Sequence, residues 1–347
     1  MRHCSYSLVP EAVASTSLTG CLTSRGRQCP MRGMSMPPIL QHLRLPVIAA
    51  PLFIISNPDL VIAQCKAGIV GSFPALNARP ESALAEWIER IQTELAAYDR
   101  AHPDQPAAPF AVNQIVHRSN SRLEHDLAVC VQYRVPIVIT SLGARPEVNQ
   151  AVHSYGGIVL HDVINAMFAR KAIEKGADGL VAVAAGAGGH AGIVSPFALM
   201  QEIRAFFHGP VALSGSIANG AAILAARAMG ADLAYIGSAF IATAEANAAP
   251  GYKQAIVDGD ASQIVYTDVI TGVHGNYLRP SLVAAGLDPD NLPRSDPSAM
   301  DFGGSKPKAW KDIWGSGQGI GAIDRVQPAG ELVARFAAEY AAARASL

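Results

Sequence analysis

The chain has 347 residues, half of them hydrophobic, 16% charged and 6% aromatic, with a formal net charge of −1. Its Lys and Arg residues are scattered, so nothing builds the electrostatic footprint that nucleic acid requires. Apolar runs such as Val47–Ile55 are too short to span a bilayer, and the Ala-rich 221–249 stretch is broken by Arg227 and Asp232, which points to a soluble, cytoplasmic protein with no membrane partner.

Residues 1–35 carry Arg2, Arg25, Arg27 and Arg32 against the single acid Glu11, without the apolar core of a secretory signal. They read either as a targeting-like or disordered leader or as sequence upstream of a start at Met31, Met34 or Met36. The second reading is favoured, because strand-like patterning begins only after them. The five cysteines (Cys4, Cys21, Cys29, Cys65, Cys130) show no CxxC spacing, so neither a disulfide framework nor a zinc site is expected. Cys65 and Cys130 fall in predicted helices and read as small buried hydrophobes.

From Pro46 onward, short apolar or β-branched runs alternate with helical stretches, the pattern of repeated βα units. Eight strands are predicted: Val47–Ala50, Ile69–Phe73, Phe110–Asn113, Ile137–Thr140, Ile158–His161, Gly179–Val183, Val211–Ser214 and Leu233–Ile236. Helices are expected over Pro80–Arg100 and over Ser195–Phe207, the latter with Ser195 as N-cap and Pro196 in the first helical position. The fold class is therefore α/β, a (β/α)8 TIM barrel over residues 36–250. An open doubly wound sheet would need a strand-order reversal and usually an early GxGxxG, and neither is visible. Residues 251–305 contain Pro280, Pro289, Pro293 and Pro297 and only short helical fragments, which suits a small C-terminal lid or substrate subdomain. Within 306–347, Ala329–Leu347 reads as an Ala-rich helix against the barrel exterior.

Barrel chemistry gathers at the C-terminal strand ends. The seventh strand ends in Ser214-Gly215-Ser216 and the eighth in Gly237-Ser238, and this pair of glycine loops is where barrels recurrently hold a phosphate. The sixth ends in Gly186-Ala187-Gly188-Gly189-His190-Ala191-Gly192, four glycines around one imidazole. A mobile solvent loop would have no need of that imidazole at the functional face, so His190 is the candidate proton-transfer group. His161 ends the fifth strand and His274 lies in the lid, where either could line a pocket. His42, His102, His117, His125, His153 and His208 read as solvated or structural, and His3 lies in the leader. No HExxH or carboxylate pair with ligand spacing appears, so no metal is expected.

Seven segments carry a resemblance to a family: Pro46-Val47-Ile48-Ala49-Ala50-Pro51, Ala67-Gly68-Ile69-Val70-Gly71, Phe110-Ala111-Val112-Asn113, Ala187-Gly188-Gly189-His190, Ser214-Gly215-Ser216, Gly237-Ser238-Ala239-Phe240 and Trp314-Gly315-Ser316-Gly317-Gln318-Gly319. From about Leu45 to about Phe336 the chain resembles the nitronate monooxygenases, formerly called 2-nitropropane dioxygenases. The resemblance implies FMN as cofactor and His190 as the catalytic residue. It places flavin contacts on Ala50, Pro51, Leu52, Asn113, Gly188, Gly189, Gly215, Ser216, Gly237, Ser238, Gly317 and Gln318, with the Gly317-Gln318 segment closing over the cofactor. Three positions depart from the family pattern: Ala49 stands where relatives often have Gln, Gly186 where many have Glu, and Ser216 where the second Gly is usual.

The implied activity is oxidation of a small nitronate, or of a nitroalkane, by molecular oxygen to a carbonyl compound and nitrite. His190 would serve as base toward the neutral nitroalkane or, protonated, would steady the nitronate. The partners implied are that substrate and oxygen, with a homodimer left open. The competing readings are an NAD(P)H-dependent FMN reductase of quinones or enoyl thioesters, a non-redox phosphate-ligand barrel, and a silent flavin-binding protein.

Overall fold

The computed structural model describes residues 36–292 and 312–347. The expected leader with its three cysteines, and the lid prolines Pro293 and Pro297, lie outside the described residues.

Eight parallel strands form one sheet: β1 (Val47–Ala49), β2 (Gly71–Pro74), β3 (Phe110–Ile115), β4 (Ile137–Ser141), β5 (Ile158–Val163), β6 (Gly179–Val183), β8 (Val211–Ser214) and β9 (Leu233–Ile236). Here β7 is the two-residue strand Gly189–His190, which lies outside the barrel. The order is β1-β9-β8-β6-β5-β4-β3-β2, sequential around the barrel. The seam between β1 and β2 is bridged where Ala49 N–H donates to the Val70 carbonyl at 2.8 Å and Val70 N–H to that of Val47 at 3.1 Å. All eight predicted strands are present: Gly179–Val183, Val211–Ser214 and Leu233–Ile236 match at both ends, and the other five shift by one or two residues at one or both ends.

The strands read as continuous apolar runs because both their faces are buried. Alternate residues such as Ile48, Val70, Ile137, Ile139, Leu160, Val181 and Leu233 fill the barrel interior. The intervening ones, among them Val112, Val138 and Val159, pack under the surrounding helices. The helix expected from Pro80 runs Ala83–Ala101, and the one expected from Ser195 runs Pro196–Arg204, with Ser195 at the N-cap position but making no side-chain cap bond. Cys65 and Cys130 are buried in helices Pro58–Lys66 and Leu123–Gln132, and burial pushes both thiols up to about 12, as suits inert core residues.

Helix Ala329–Ala345 packs on the barrel exterior against helices Gly220–Ala228 and Pro58–Lys66. The contact depends on Gly220, where any Cβ would run into the backbone of Phe336 and Tyr340. Gly220 N–H donates to Glu339 Oε2 at 2.8 Å.

The lid differs from the expectation of short helical fragments alone. Helix Pro250–Asp258 is followed by β10 (Ile264–Thr267), β11 (Gly275–Leu278) and helix Arg279–Ala284. These strands form an antiparallel sheet in the order β10-β11-β7. A four-residue strand beginning Gly275-Asn276 has little β propensity of its own; β11 is extended because partners flank it on both edges. No helix among the described residues is long and apolar enough to cross a membrane.

Candidate active site

The C-terminal strand ends and the lid enclose a cavity of about 1970 Å³. Typical small-molecule pockets occupy roughly 300–1,000 Å³, so there is room for a large cofactor with a substrate beside it. Ala50, Pro51 and Leu52 enter it after β1, Asn113 from β3, Gly188, Gly189 and His190 from beyond β6, Gly215 and Ser216 after β8, Gly237 and Ser238 after β9, and Gly317 from the C-terminal segment. Gln318 is the exception. Its backbone N–H donates to the Gly186 carbonyl at 2.9 Å and it does not line the cavity.

The segment around Gly317 is stitched onto the other loops. Gly317 N–H donates to Ser238 Oγ at 2.9 Å, and Ser316 N–H to the Asn276 carbonyl at 3.1 Å. Two of the departures from the family pattern explain one another here. Gly186 has φ 83°, and a Cβ on it would overlap Ser216 Oγ and stand 3.0 Å from Gln318 Oε1. Ser216 occupies the space that a side chain at position 186 would need, so the hydroxyl at one position and the glycine at the other fit as a pair. Ala49, the third departure, is fully buried in the core outside the barrel interior.

His190 is not on a mobile loop. It pairs with Gly275 as part of β7, while Asn276 Nδ2 donates to the Ala187 carbonyl at 2.6 Å, Tyr266 Oη to that of Ala191 at 3.0 Å, and Ala191 N–H to that of His274 at 3.3 Å. The lid thus fixes the histidine from outside the barrel. His190 Nε2 lies 3.0 Å from Thr271 Oγ1, whose hydroxyl donates to the Val273 carbonyl at 3.0 Å. Thr271 thus ties the imidazole to the lid. Burial lowers His190 from 6.5 to about 4, so the ring is neutral at neutral pH. That favours the base role and disfavours the alternative in which a protonated ring steadies an anion.

His161 also lines the cavity, with Nδ1 at 2.6 Å from Thr140 Oγ1, and burial, reinforced by Lys175, lowers it to about 4. His274 lines the cavity and stacks on Tyr266. His117, expected to be solvated or structural, lines it too and bonds Ser119 Oγ at 2.8 Å.

Among the lining residues that escaped the sequence reading are Ser141, Asp162 and Tyr235. Asn113 Nδ2 donates to the Ile139 carbonyl at 3.1 Å and to Ser141 Oγ at 2.7 Å, and Ser141 Oγ donates to Asp162 Oδ2 at 2.5 Å. The available signal was alternation: Ser141 follows Ile137 and Ile139 on the interior face of β4, and Asp162 follows Ile158 and Leu160 on that of β5. Among the described residues no group of three or more His, Cys, Asp or Glu converges on a metal position.

The sequence and the fold both have relatives. A nitronate monooxygenase of Paraburkholderia phytofirmans is 29% identical over 342 residues, covering 85% of this chain and 92% of that protein. A structure described as nitroalkane oxidase from Streptomyces ansochromogenes superposes with a TM-score of 0.73 at 25% identity, covering 87% of this chain and 98% of the other. FabK from Thermotoga maritima superposes with a TM-score of 0.70 at 22% identity over 89% and 96% of the two chains, a likeness of fold. The sequence model described as Nitronate monooxygenase matches residues 38–339, which takes in the barrel, the lid and most of the C-terminal helix; the chain belongs to the nitronate monooxygenase family of oxidoreductases.

Proposed function

We propose that this protein binds FMN and oxidises small alkyl nitronates with molecular oxygen to carbonyl compounds and nitrite, and that His190 admits neutral nitroalkanes by removing their α-proton. The observation that carries the reading is a neutral imidazole held by the lid at the wall of a cavity whose glycine loops, at Gly215-Ser216 and Gly237-Ser238, stand side by side on adjacent strands.

The residues present fit a flavin. The phosphate end suits the paired glycine loops after β8 and β9, where barrels recurrently hold a phosphate. Asn113 spends both amide hydrogens on β4, which leaves its oxygen as an acceptor for a ring N–H. The bound flavin would supply the electron-transfer chemistry. The chain supplies the rest: the floor orients the ring, the lid excludes water, and His190 takes a proton from carbon when the substrate arrives as the nitroalkane.

The test is a spectrum of the purified protein followed by turnover with a nitronate. FMN released on denaturation, with nitrite formed under air, supports the reading. Colourless protein that takes up no added FMN would sink it, and anaerobic bleaching by NADH without nitronate turnover would favour the reductase reading instead.

A further inference from the structure

The cavity floor holds an acid that the reading above leaves unused. Asp162 is next to last in β5, and the alternation that sends Ile158 and Leu160 into the barrel sends Asp162 there as well. Its Oδ2 accepts from Ser141 Oγ at 2.5 Å, and Ser141 accepts from Asn113 Nδ2 at 2.7 Å. Oδ1 is buried and has no hydrogen-bond partner among the described residues.

Chemistry fixes the direction of this chain. The Ile139 carbonyl, 3.1 Å from Asn113 Nδ2, can only accept, so the NH2 end of the amide must face β4. Ser141, already accepting from Asn113, must send its own hydrogen elsewhere, and Asp162 takes it. Burial pushes the Asp162 carboxyl up to about 7, and the Ser141 hydroxyl partly offsets this. Ser141 bonds the carboxyl and Tyr235 is near enough to feel its charge; burial raises the Tyr235 phenol too, while His161, at the alternate position of β5, bonds Thr140.

We propose that Asp162 is a positioning residue: as terminal acceptor of the Asn113–Ser141–Asp162 relay it reinforces the Ile139 carbonyl in holding the Asn113 amide with its oxygen toward the cavity, and so tunes how tightly the site grips the N–H edge of a flavin ring. The second clause rests on the FMN reading, whereas the relay does not.

The relay is tested first on the cofactor-free protein, by following the Asp162 carboxyl with 13C NMR. Its midpoint should lie near 7 and should move upward in Ser141→Ala, because the hydroxyl that stabilises the carboxylate is gone. An unchanged midpoint in Ser141→Ala overturns the relay, whether or not flavin binds.

The second clause is tested by titrating FMN into the apoprotein and reading its fluorescence. Asp162→Ala and Ser141→Ala should each raise Kd by roughly three- to tenfold, the span of one neutral hydrogen bond. The double variant should be no worse than the weaker single one, because the two residues act in series. Asp162→Asn, which still offers Ser141 an acceptor, should recover most of the loss. Parent-like affinity in Asp162→Ala, or additive losses in the double variant, would overturn the assignment. Failure of the parent itself to take up FMN would refute the cofactor reading and this clause together, leaving the NMR result to judge the relay.

Discussion

At His190 the imidazole is held near 4 by burial rather than by a charged neighbour, and the consequence is a pH profile. A base works when deprotonated, so activity toward a neutral nitroalkane should stay level as pH falls past 6.5 and decline only as it approaches 4. An acid limb centred near 6.5 would show a solvated ring instead. Replacing the group gives a second prediction. His190→Asn should keep its flavin but lose roughly two to four orders of magnitude in nitroalkane turnover, with a smaller loss on preformed nitronate, which needs no base. Equal rates on both substrates in variant and parent would remove His190 from the chemistry. At Gly186 the tight approach of Ser216 makes a coupled prediction. Gly186→Ala should lower flavin content, and Gly186→Ala with Ser216→Gly should regain part of it, the remainder reflecting the cost of a side chain at φ 83°. Independent effects of the two changes would contradict the pairing.

Among the elements, the lid sheet decides where His190 stands. Gly275 faces β7 so closely that a Cβ on it would lie 2.8 Å from the Gly189 carbonyl oxygen. Gly275→Ala should push β7 away and lower kcat by roughly tenfold to a hundredfold, the usual penalty for a displaced catalytic group, while the barrel's urea midpoint barely moves. A parent-like kcat would mean that β7 is not what positions the ring. This clip was illegible in the sequence, since β7 and β11 are held by pairing across many residues and not by local propensity. The barrel strands were legible because burial on both faces leaves unbroken apolar runs, and the place of His190 on the cavity wall because a lone imidazole among glycines has no packing role. Asp162 and Ser141 were missed for the converse reason: each sits at the end of an apolar strand, and its inward direction follows only from alternation once the barrel is known.

For the molecule as a whole, the buried histidines His161 and His190 and the buried acid Asp162 pull stability in opposite directions with pH. His161 and His190, each lowered from 6.5 to about 4, contribute stability that is full above 6.5 and lost as pH falls through 4. Asp162, raised from 3.8 to about 7, contributes stability that is full below 3.8 and lost as pH rises through 7. Between 4 and 6.5 the slope of the acid opposes those of the two histidines, each worth roughly 1.4 kcal/mol per pH unit at most. Removing the acid while keeping its shape, as in Asp162→Asn, should therefore steepen the rise of unfolding free energy with pH in that window, measured by urea denaturation. A slope unchanged from the parent would mean that Asp162 is ionised in the native state throughout.

The central claim is that this cavity passes electrons from a nitronate to oxygen through a bound flavin. Anaerobic mixing of the purified holoprotein with an alkyl nitronate, followed at the flavin absorbance, tests it most directly. The account predicts bleaching by the nitronate, recovery of the colour on admitting oxygen, and no bleaching by NADH. A flavin that NADH reduces and the nitronate leaves oxidised would contradict it.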